Sequence, residues 1–320
     1  MIPLILDTDI GSDCDDAGAM AVLHALADLG EVRILALTHA TGLPAGPGSI
    51  AVIDAYYGRP DIPIGACRDA GFLSDAGMDQ YATRLIDAYA DRYGVVCRTR
   101  AQAEDAVALL RRTLTQEEDG SVTVVAIGQL RNLRHLLESG PDAISPLDGM
   151  TLVAKKVREL CLMGGYFPRA GQVIHIGGKV HEAEYNIETD IPSAQAVLDL
   201  WPTPVTLCGF ELGFEVRTGG PLVATGDTSN PVLSAYARVT GGLRESWDPL
   251  TVLYAVRGEA AGFRRETGRI SVDDRGVTTL APDPAGPHAR LVETVSWAAL
   301  QQTLDALLLM PPAAGPAGHP

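Results

Sequence analysis

The sequence predicts an α/β protein with a mostly parallel central sheet and helices on both faces. Short apolar runs of strand length alternate with stretches of helical periodicity from residue 2 to residue 210, a pattern typical of parallel sheets. No Gly/Ser-rich or charged linker divides the 320 residues, and 46% of them are hydrophobic, enough for a large core. We therefore expect one domain over residues 1–310, followed by a flexible Pro-, Gly- and Ala-rich tail at 311–320.

The elements follow from the pattern in chain order. The apolar run at residues 2–6 predicts a buried strand, and the helical periodicity of residues 17–29 predicts the helix after it. The same criteria predict five more strands, at residues 33–38, 62–65, 121–127, 158–163 and 204–210. They also predict further helices, near residues 49–57, 103–114, from 130 onwards, 193–200 and over most of 221–254.

The loop between the first strand and the first helix is unusually acidic. Residues 7–16 read DTDIGSDCDD, with five carboxylates that repel one another unless a cation lies among them. In an open α/β sheet such a loop lies at the carboxyl edge, where ligands bind. Oxygen ligands at this density favour a hard cation, Ca²⁺ more than Mg²⁺. Zinc is disfavoured because no set of Cys and His residues has the required spacing.

Four segments carry a resemblance to a known family. DTDIG at 7–11 with DDA at 15–17 resembles the amino-terminal signature of the inosine-uridine-preferring nucleoside hydrolases, with two extra residues before the Asp pair. Later segments match in the family's order: AIGQLRN at 126–132, MGG at 163–165 followed by AEYN at 183–186, and WDPL at 247–250. The resemblance implies the fold of that family and a hydrolase that cleaves the N-ribosidic bond of a nucleoside or related riboside.

The resemblance also implies roles for individual residues. It implies a Ca²⁺ cofactor with four ligands, namely Asp9, Asp16, Asp248 and the carbonyl oxygen of Ile127. By the same resemblance, Asp9 also matches the general base. This role is chemically reasonable, since a carboxylate beside the attacking water can take its proton. The positions that match substrate contacts are Asp15, Glu184, Asn186 and Asp248. The implied partner is a small riboside, and the implied assembly is a homodimer or homotetramer.

Three features depart from the family pattern. Trp247 stands where purine- and pyrimidine-cleaving members have His; an indole can stack on a base but cannot protonate it, so we expect low activity on inosine and uridine. The Asn usually found after the second strand is missing, with His39, Ala40 and Thr41 there instead, and His39 is a candidate substrate contact at the active edge. Residues 171–181, which include His175 and His181, form a candidate lid.

Two other functions fit parts of the sequence. A haloacid-dehalogenase-type phosphatase also begins with a strand and Asp-x-Asp, but it normally has Thr or Val where this chain has Gly11, and it leaves the later segments unexplained. A ribosyl- or calcium-binding homologue with weak or no hydrolysis would explain the missing His. Release of ribose, with and without chelator, compared with release of phosphate, distinguishes the three.

The charge and composition of the sequence indicate which partners the protein can bind and which cellular compartment it occupies. A net charge of -15 argues against binding to nucleic acid or an anionic membrane, since both are polyanions. The start of the chain lacks a basic segment followed by an apolar one, and no apolar run approaches the length of a membrane helix. The five cysteines are odd in number and scattered, which is typical of reduced thiols. We expect a cytoplasmic enzyme.

Overall fold

The structure is a computed structural model, and it describes residues 1–169, 173, 175, 176 and 179–313. Residues 171, 172, 174, 177 and 178 of the candidate lid at 171–181 lie outside the described residues, as do residues 314–320 of the predicted tail at 311–320.

The described part of the chain contains fourteen strands and thirteen α-helices, numbered here in chain order. The strands are β1 (Ile2–Thr8), β2 (Val32–His39), β3 (Ile64–Ala66), β4 (Glu104–Asp105), β5 (Val122–Ala126), β6 (Val157–Met163), β7 (His175–Ile176), β8 (Lys179–Val180), β9 (Val205–Cys208), β10 (Arg217–Thr218), β11 (Arg244–Glu245), β12 (Phe263–Val272), β13 (Thr278–Pro282) and β14 (His288–Glu293). The helices are α1 (Asp15–Asp28), α2 (Gly46–Tyr56), α3 (Ala82–Tyr89), α4 (Ala106–Gln116), α5 (Arg131–Glu138), α6 (Gly149–Lys156), α7 (Tyr185–Glu188), α8 (Ile191–Leu200), α9 (Phe210–Glu215), α10 (Gly220–Ala224), α11 (Pro231–Val239), α12 (Trp247–Arg257) and α13 (Trp297–Leu308).

Ten of these strands form one sheet, in the order β13-β12-β14-β9-β6-β5-β1-β2-β3-β4. Every neighbouring pair from β14 to β4 is parallel, while β12 runs antiparallel to both β13 and β14. This arrangement confirms the predicted α/β fold with a mostly parallel sheet. Strand β1 is covered on both faces, because Leu4 and Leu6 pack into one hydrophobic cluster and Ile5 packs into another. Burial on both faces explains why residues 2–6 are continuously apolar.

The position of β1 determines where ligands can bind. The chain places β2, β3 and β4 on one side of β1, and β5, β6 and β9 on the other. The strand order therefore reverses at β1, and the loops that leave the carboxyl ends of these strands border a crevice there. The β1–α1 loop turns at Gly11, whose φ of +141° favours glycine and whose Cβ position lies 3.2 Å from the Met78 carbonyl oxygen.

Three regions differ from the predicted elements. The strand predicted at 204–210 ends at Cys208, because α9 begins at Phe210. The region 221–254 is divided into α10, α11 and the first part of α12 rather than forming one long helical stretch. Strands β12, β13 and β14, for which the sequence analysis offered no prediction, extend the sheet at one edge.

Two further findings bear on the composition arguments. Among the described residues, no helix is long and apolar enough to cross a membrane. All five cysteines are unpaired thiols, and Cys97 alone among them is not fully buried.

Candidate active site

A cavity of about 410 Å³ opens at the carboxyl edge of the sheet, at the point where the strand order reverses. It brings together residues from seven separate segments of the chain, between Asp9 and Asp248. The predicted site residues that line it are Asp9, Asp15, Asp16, Ile127, Glu184, Asn186, Trp247 and Asp248. His39 is the one predicted site residue that does not line it.

Two helix N-termini build the acidic part of the cavity. Helix α1 starts with Asp15 and Asp16, and the first turn of α12 contains Asp248. The backbone N–H of Asp248 donates to Asp15 Oδ2 at 3.3 Å, so the two helix ends are joined directly. One carboxylate oxygen from each of these three Asp residues lies within 4.8 Å of the other two, an arrangement that could hold a metal ion. The tightest cluster therefore contains Asp15 where the sequence prediction had Asp9.

The electrostatics of this cluster require a counter-charge. Burial raises the pKa of Asp15, Asp16 and Asp248 well above the usual range, and repulsion from neighbouring carboxylates raises each further. Burial likewise raises the pKa of Asp9, to about 6. Three buried carboxylates at this separation, with the Asp9 carboxylate in the same cavity, cannot all ionise at neutral pH without a cation to offset their repulsion. Their oxygen-only donor set fits a hard divalent ion.

Asp9 lies beside the cluster and is joined to Asn186 through an amide. Gln129 is fully buried, and its Nε2 donates to Asp9 Oδ2 at 3.0 Å and to Asn186 Oδ1 at 3.3 Å. The Asn186 Nδ2 group in turn donates to the carbonyl oxygens of Met163, at 3.3 Å, and Ile127, at 3.4 Å. These contacts determine which way both amides point.

Glu184 is held by the backbone around it. Its carboxylate caps α7 by accepting from the N–H groups of Asn186 at 2.8 Å and Ile187 at 3.2 Å, and it also accepts from Gly165 at 3.3 Å. Burial nevertheless raises the pKa of Glu184 to about 7. The cap links the loop after β6 to the short helix that carries Asn186, so the MGG and AEYN segments form one structural unit.

Trp247 forms part of the cavity wall, together with Phe210. The indole Nε1–H donates to the Phe210 carbonyl oxygen at 2.8 Å, and the two rings stack with their centroids 5.1 Å apart. Only 7% of Trp247 is exposed. Its N–H is therefore already engaged, and little of the ring remains to contact a substrate. The guanidinium of Arg244 lies 4.9 Å from the same ring.

The structure corrects the prediction for His39. The residue ends β2 as expected, but its ring is fully buried, 3.0 Å from the Ile10 carbonyl oxygen and 3.2 Å from that of Thr41. Burial lowers the pKa of the ring, which favours the neutral imidazole. His39 therefore ties the β1–α1 loop to the end of β2 instead of contacting the substrate.

Several cavity residues were missed by the sequence analysis. They are Asp13, Met78, Gln80, Met163, Tyr185, Phe210 and Arg244. Asp13 lies in the acidic segment and Tyr185 lies between Glu184 and Asn186, so the motifs contained a signal for both. Met163 begins the MGG segment and was marked by that motif as well, whereas Met78, Gln80, Phe210 and Arg244 lie in loops or short elements that no motif marks. His181, the second histidine of the candidate lid, also lines the cavity.

The sequence and the fold of this chain resemble those of known proteins. The family model for inosine-uridine preferring nucleoside hydrolases matches residues 4–302. The inosine-uridine preferring nucleoside hydrolase of Bacillus anthracis has a similar structure, with a TM-score of 0.72 and 19% identity over 96% of this chain and 100% of that one. The purine-preferring ribonucleoside hydrolase of Gardnerella vaginalis gives a TM-score of 0.68 and 17% identity over 96% and 99%. An uncharacterized protein of Schizosaccharomyces pombe is 25% identical over 82% of each chain.

The chain belongs to the inosine-uridine preferring nucleoside hydrolase family. It is therefore an N-ribosyl hydrolase that acts on small nucleosides, in a family that depends on a metal. This membership confirms the resemblance found in the sequence and replaces the phosphatase hypothesis.

Proposed function

We propose that this protein is a Ca²⁺-dependent nucleosidase, which hydrolyses the N-ribosidic bond of a neutral nucleoside to ribose and free base. One observation carries the proposal: a buried carboxylate cluster, a separate carboxylate and a buried amide line the same cavity. This combination provides a cation site, a proton acceptor and a group for the ribose hydroxyls within reach of one small ligand.

The metal would be held at the acidic end of the cavity. Asp15, Asp16 and Asp248 supply the three clustered carboxylates, and Asp9 and the Ile127 carbonyl line the cavity beside them. When bound, a hard divalent ion supplies positive charge that orients the sugar hydroxyls and lowers the pKa of a water molecule. Ca²⁺ fits better than Mg²⁺, because four carboxylates and a carbonyl suit a high coordination number.

The residues of the chain perform the remaining steps. Asp9 takes a proton from the attacking water while the water oxygen bonds to the anomeric carbon of the ribose. The bond from that carbon to the base nitrogen breaks, and its electron pair leaves with the base. Asn186 and Glu184 lie where they can hold the ribose hydroxyls, and a buried acceptor left unpaired by a deoxyribose costs ~1–3 kcal/mol.

The test measures free ribose from a panel of nucleosides, with calcium or with chelator, in the wild type and in Asp9→Asn. Asp274→Asn is the control, since Asp274 is an exposed Asp outside the cavity. We expect ribose release that the chelator abolishes, that Asp9→Asn nearly abolishes and that Asp274→Asn leaves unchanged. Binding of nucleosides without any ribose release would instead identify a ribosyl-binding homologue. Release that is unaffected by chelator would exclude the proposed metal.

A further inference from the structure

The two clearest departures from the family signature meet at a single side chain, Arg244. The two extra residues lie in the acidic loop between Gly11 and Asp15, and Asp13 of this loop reaches Arg244, 231 positions away. Arg244 Nε donates to both oxygens of Asp13, at 2.9 and 3.0 Å, and its Nη2 also donates to Asp13. The same guanidinium contacts Trp247, which stands in place of the family's His. The insertion and the substitution thus belong to one local structure.

Arg244 is oriented firmly, yet it keeps hydrogen-bonding capacity. The Tyr81 hydroxyl donates to the Asp13 carbonyl oxygen at 2.7 Å and holds the loop, and Arg244 Nη1 donates to Glu245 Oε2 at 2.9 Å. These contacts engage three of the five N–H groups of a guanidinium. One N–H on each Nη atom has no partner among the residues that the structure describes. Arg244 lines the cavity, and 28% of its side chain is exposed.

The charges around Arg244 restrict its ligand. The positive charge of Arg244 is already balanced, because Asp13 pairs with it directly and Glu245 is shared between Arg244 and Arg217, so an anionic group would meet no net attraction here. The guanidinium can only donate hydrogen bonds. A neutral ligand edge with two neighbouring acceptors satisfies both conditions. The O6 and N7 atoms of a 6-oxopurine form such an edge and match an arginine, whereas adenine presents an N–H donor beside N7.

We propose that Arg244 is a specificity-determining residue that binds the leaving base, and that the preferred base is a 6-oxopurine. The inference rests on the proposed nucleosidase function and deepens it. Trp247 alone predicts that inosine is a poor substrate. The structure changes this expectation, because Arg244 can bind the base where the family's His is missing.

Arg244 also acts on the departing base without transferring a proton. When the bond from the ribose carbon to the base nitrogen breaks, the electron pair spreads over the purine, including N7 and O6. Hydrogen bonds to those atoms strengthen as negative charge develops, which stabilises the transition state more than the bound substrate. The base anion takes a proton from water, and Asp9 returns its proton to water, so the net reaction adds one water molecule.

The experiment compares Arg244→Met with Arg217→Met as a matched control. Arg217 also bonds Glu245, from the neighbouring strand β10, but it does not line the cavity. Values of kcat/KM are measured for inosine, guanosine, adenosine and p-nitrophenyl riboside, which has no purine edge. Arg244→Lys is included because it keeps a charge near Asp13 while losing the planar fork, and it provides a second variant should Arg244→Met not fold.

We expect the wild type to prefer inosine and guanosine over adenosine by about tenfold or more, the value of one bidentate contact to a base. Arg244→Met should lower kcat/KM for the 6-oxopurines by about 10- to 100-fold while changing adenosine and p-nitrophenyl riboside less than about threefold. Arg244→Lys should lose most of the preference, and Arg217→Met should keep it. Equal losses for all four substrates, or a wild type that prefers adenosine, would overturn the inference.

Calorimetric titration with the free bases separates this inference from the proposed function. The wild type should bind hypoxanthine about tenfold more tightly than adenine, and Arg244→Met should remove the difference. If no nucleoside releases ribose, the proposed function fails while this titration still decides the role of Arg244. If nucleosides are hydrolysed but the two bases bind equally, the function stands and the inference fails.

Discussion

Gln129→Leu removes the amide that joins Asp9 to Asn186, while leaving an apolar side chain of similar size in its place. Two hydrogen bonds are lost, the 3.0 Å bond to the carboxylate and the 3.3 Å bond to the amide oxygen. The first is charge-assisted whenever Asp9 is ionised, which is the state in which it accepts a proton. Without it, the carboxylate is free to rotate away from the position at which it meets the attacking water.

The structure allows the size of the effect to be worked out. A hydrogen bond to a charged group contributes ~1.5–3 kcal/mol, which corresponds to a rate loss of about 10- to 150-fold if the transition state depends on it. The effect on folding should be smaller. Gln129 Oε1 is buried without a hydrogen-bond partner in the described structure, which destabilises the folded protein, and leucine removes this unpaired oxygen. Leucine also removes the donor to Asp9 and Asn186, which destabilises the folded protein. The gain from removing the unpaired oxygen and the loss of the two hydrogen bonds oppose each other, so we expect the free energy of unfolding to change by about 1 kcal/mol or less.

The assay measures initial rates of ribose release at saturating calcium, with melting temperature as the check on folding. Gln195→Leu is the matched control, because it breaks a 3.1 Å bond from Gln195 to the Val272 carbonyl oxygen outside the cavity. The expected result is a kcat at least tenfold lower for Gln129→Leu only, with similar melting temperatures for all three proteins. A kcat within about twofold of wild type, or an equal loss in the control, would refute the reasoning.

Two other predictions concern the acidic end of the cavity. Asp9→Asn should lower kcat by several orders of magnitude, whereas Asn186→Ala should mainly raise KM and weaken discrimination between ribose and deoxyribose; similar, mild effects in steady-state kinetics would contradict these roles. Because burial raises the pKa of Asp9 to about 6 and of Glu184 to about 7, above their unfolded-state values, the protonated forms favour the folded state. Their contribution to the stability of the chelator-treated protein should thus fall as pH rises from about 4 to about 7. Calcium should raise the melting temperature more at pH 8 than at pH 5, since the ion binds ionised carboxylates. Scanning calorimetry with chelator and with calcium measures the melting temperature at each pH and checks both predictions. A calcium-induced rise in melting temperature that becomes smaller toward pH 8 would contradict the prediction for calcium.

Much of the fold could be predicted because its signals are local. The apolar run of β1, the acidic turn after it and the periodicity of α1 are all contained in the first 29 residues. Strands β5 and β6 lie within a residue or so of their predicted ranges for the same reason. Strands β12, β13 and β14 were not predicted, because half-buried strands at a sheet edge lack the continuous apolar runs of central parallel strands.

The sequence by itself determined the α/β class, the family and eight of the nineteen residues that line the cavity, because motif spacing and periodicity are properties of consecutive residues. Only the tertiary structure decided the direction of each side chain. His39 is at the predicted strand end, yet its ring packs under the β1–α1 loop. Asp13 and Arg244 carry no mutual signal in the sequence, since they are distant along the chain and meet only when the N-termini of α1 and α12 come together. Contacts of this kind depend on packing among many residues, which no local pattern records.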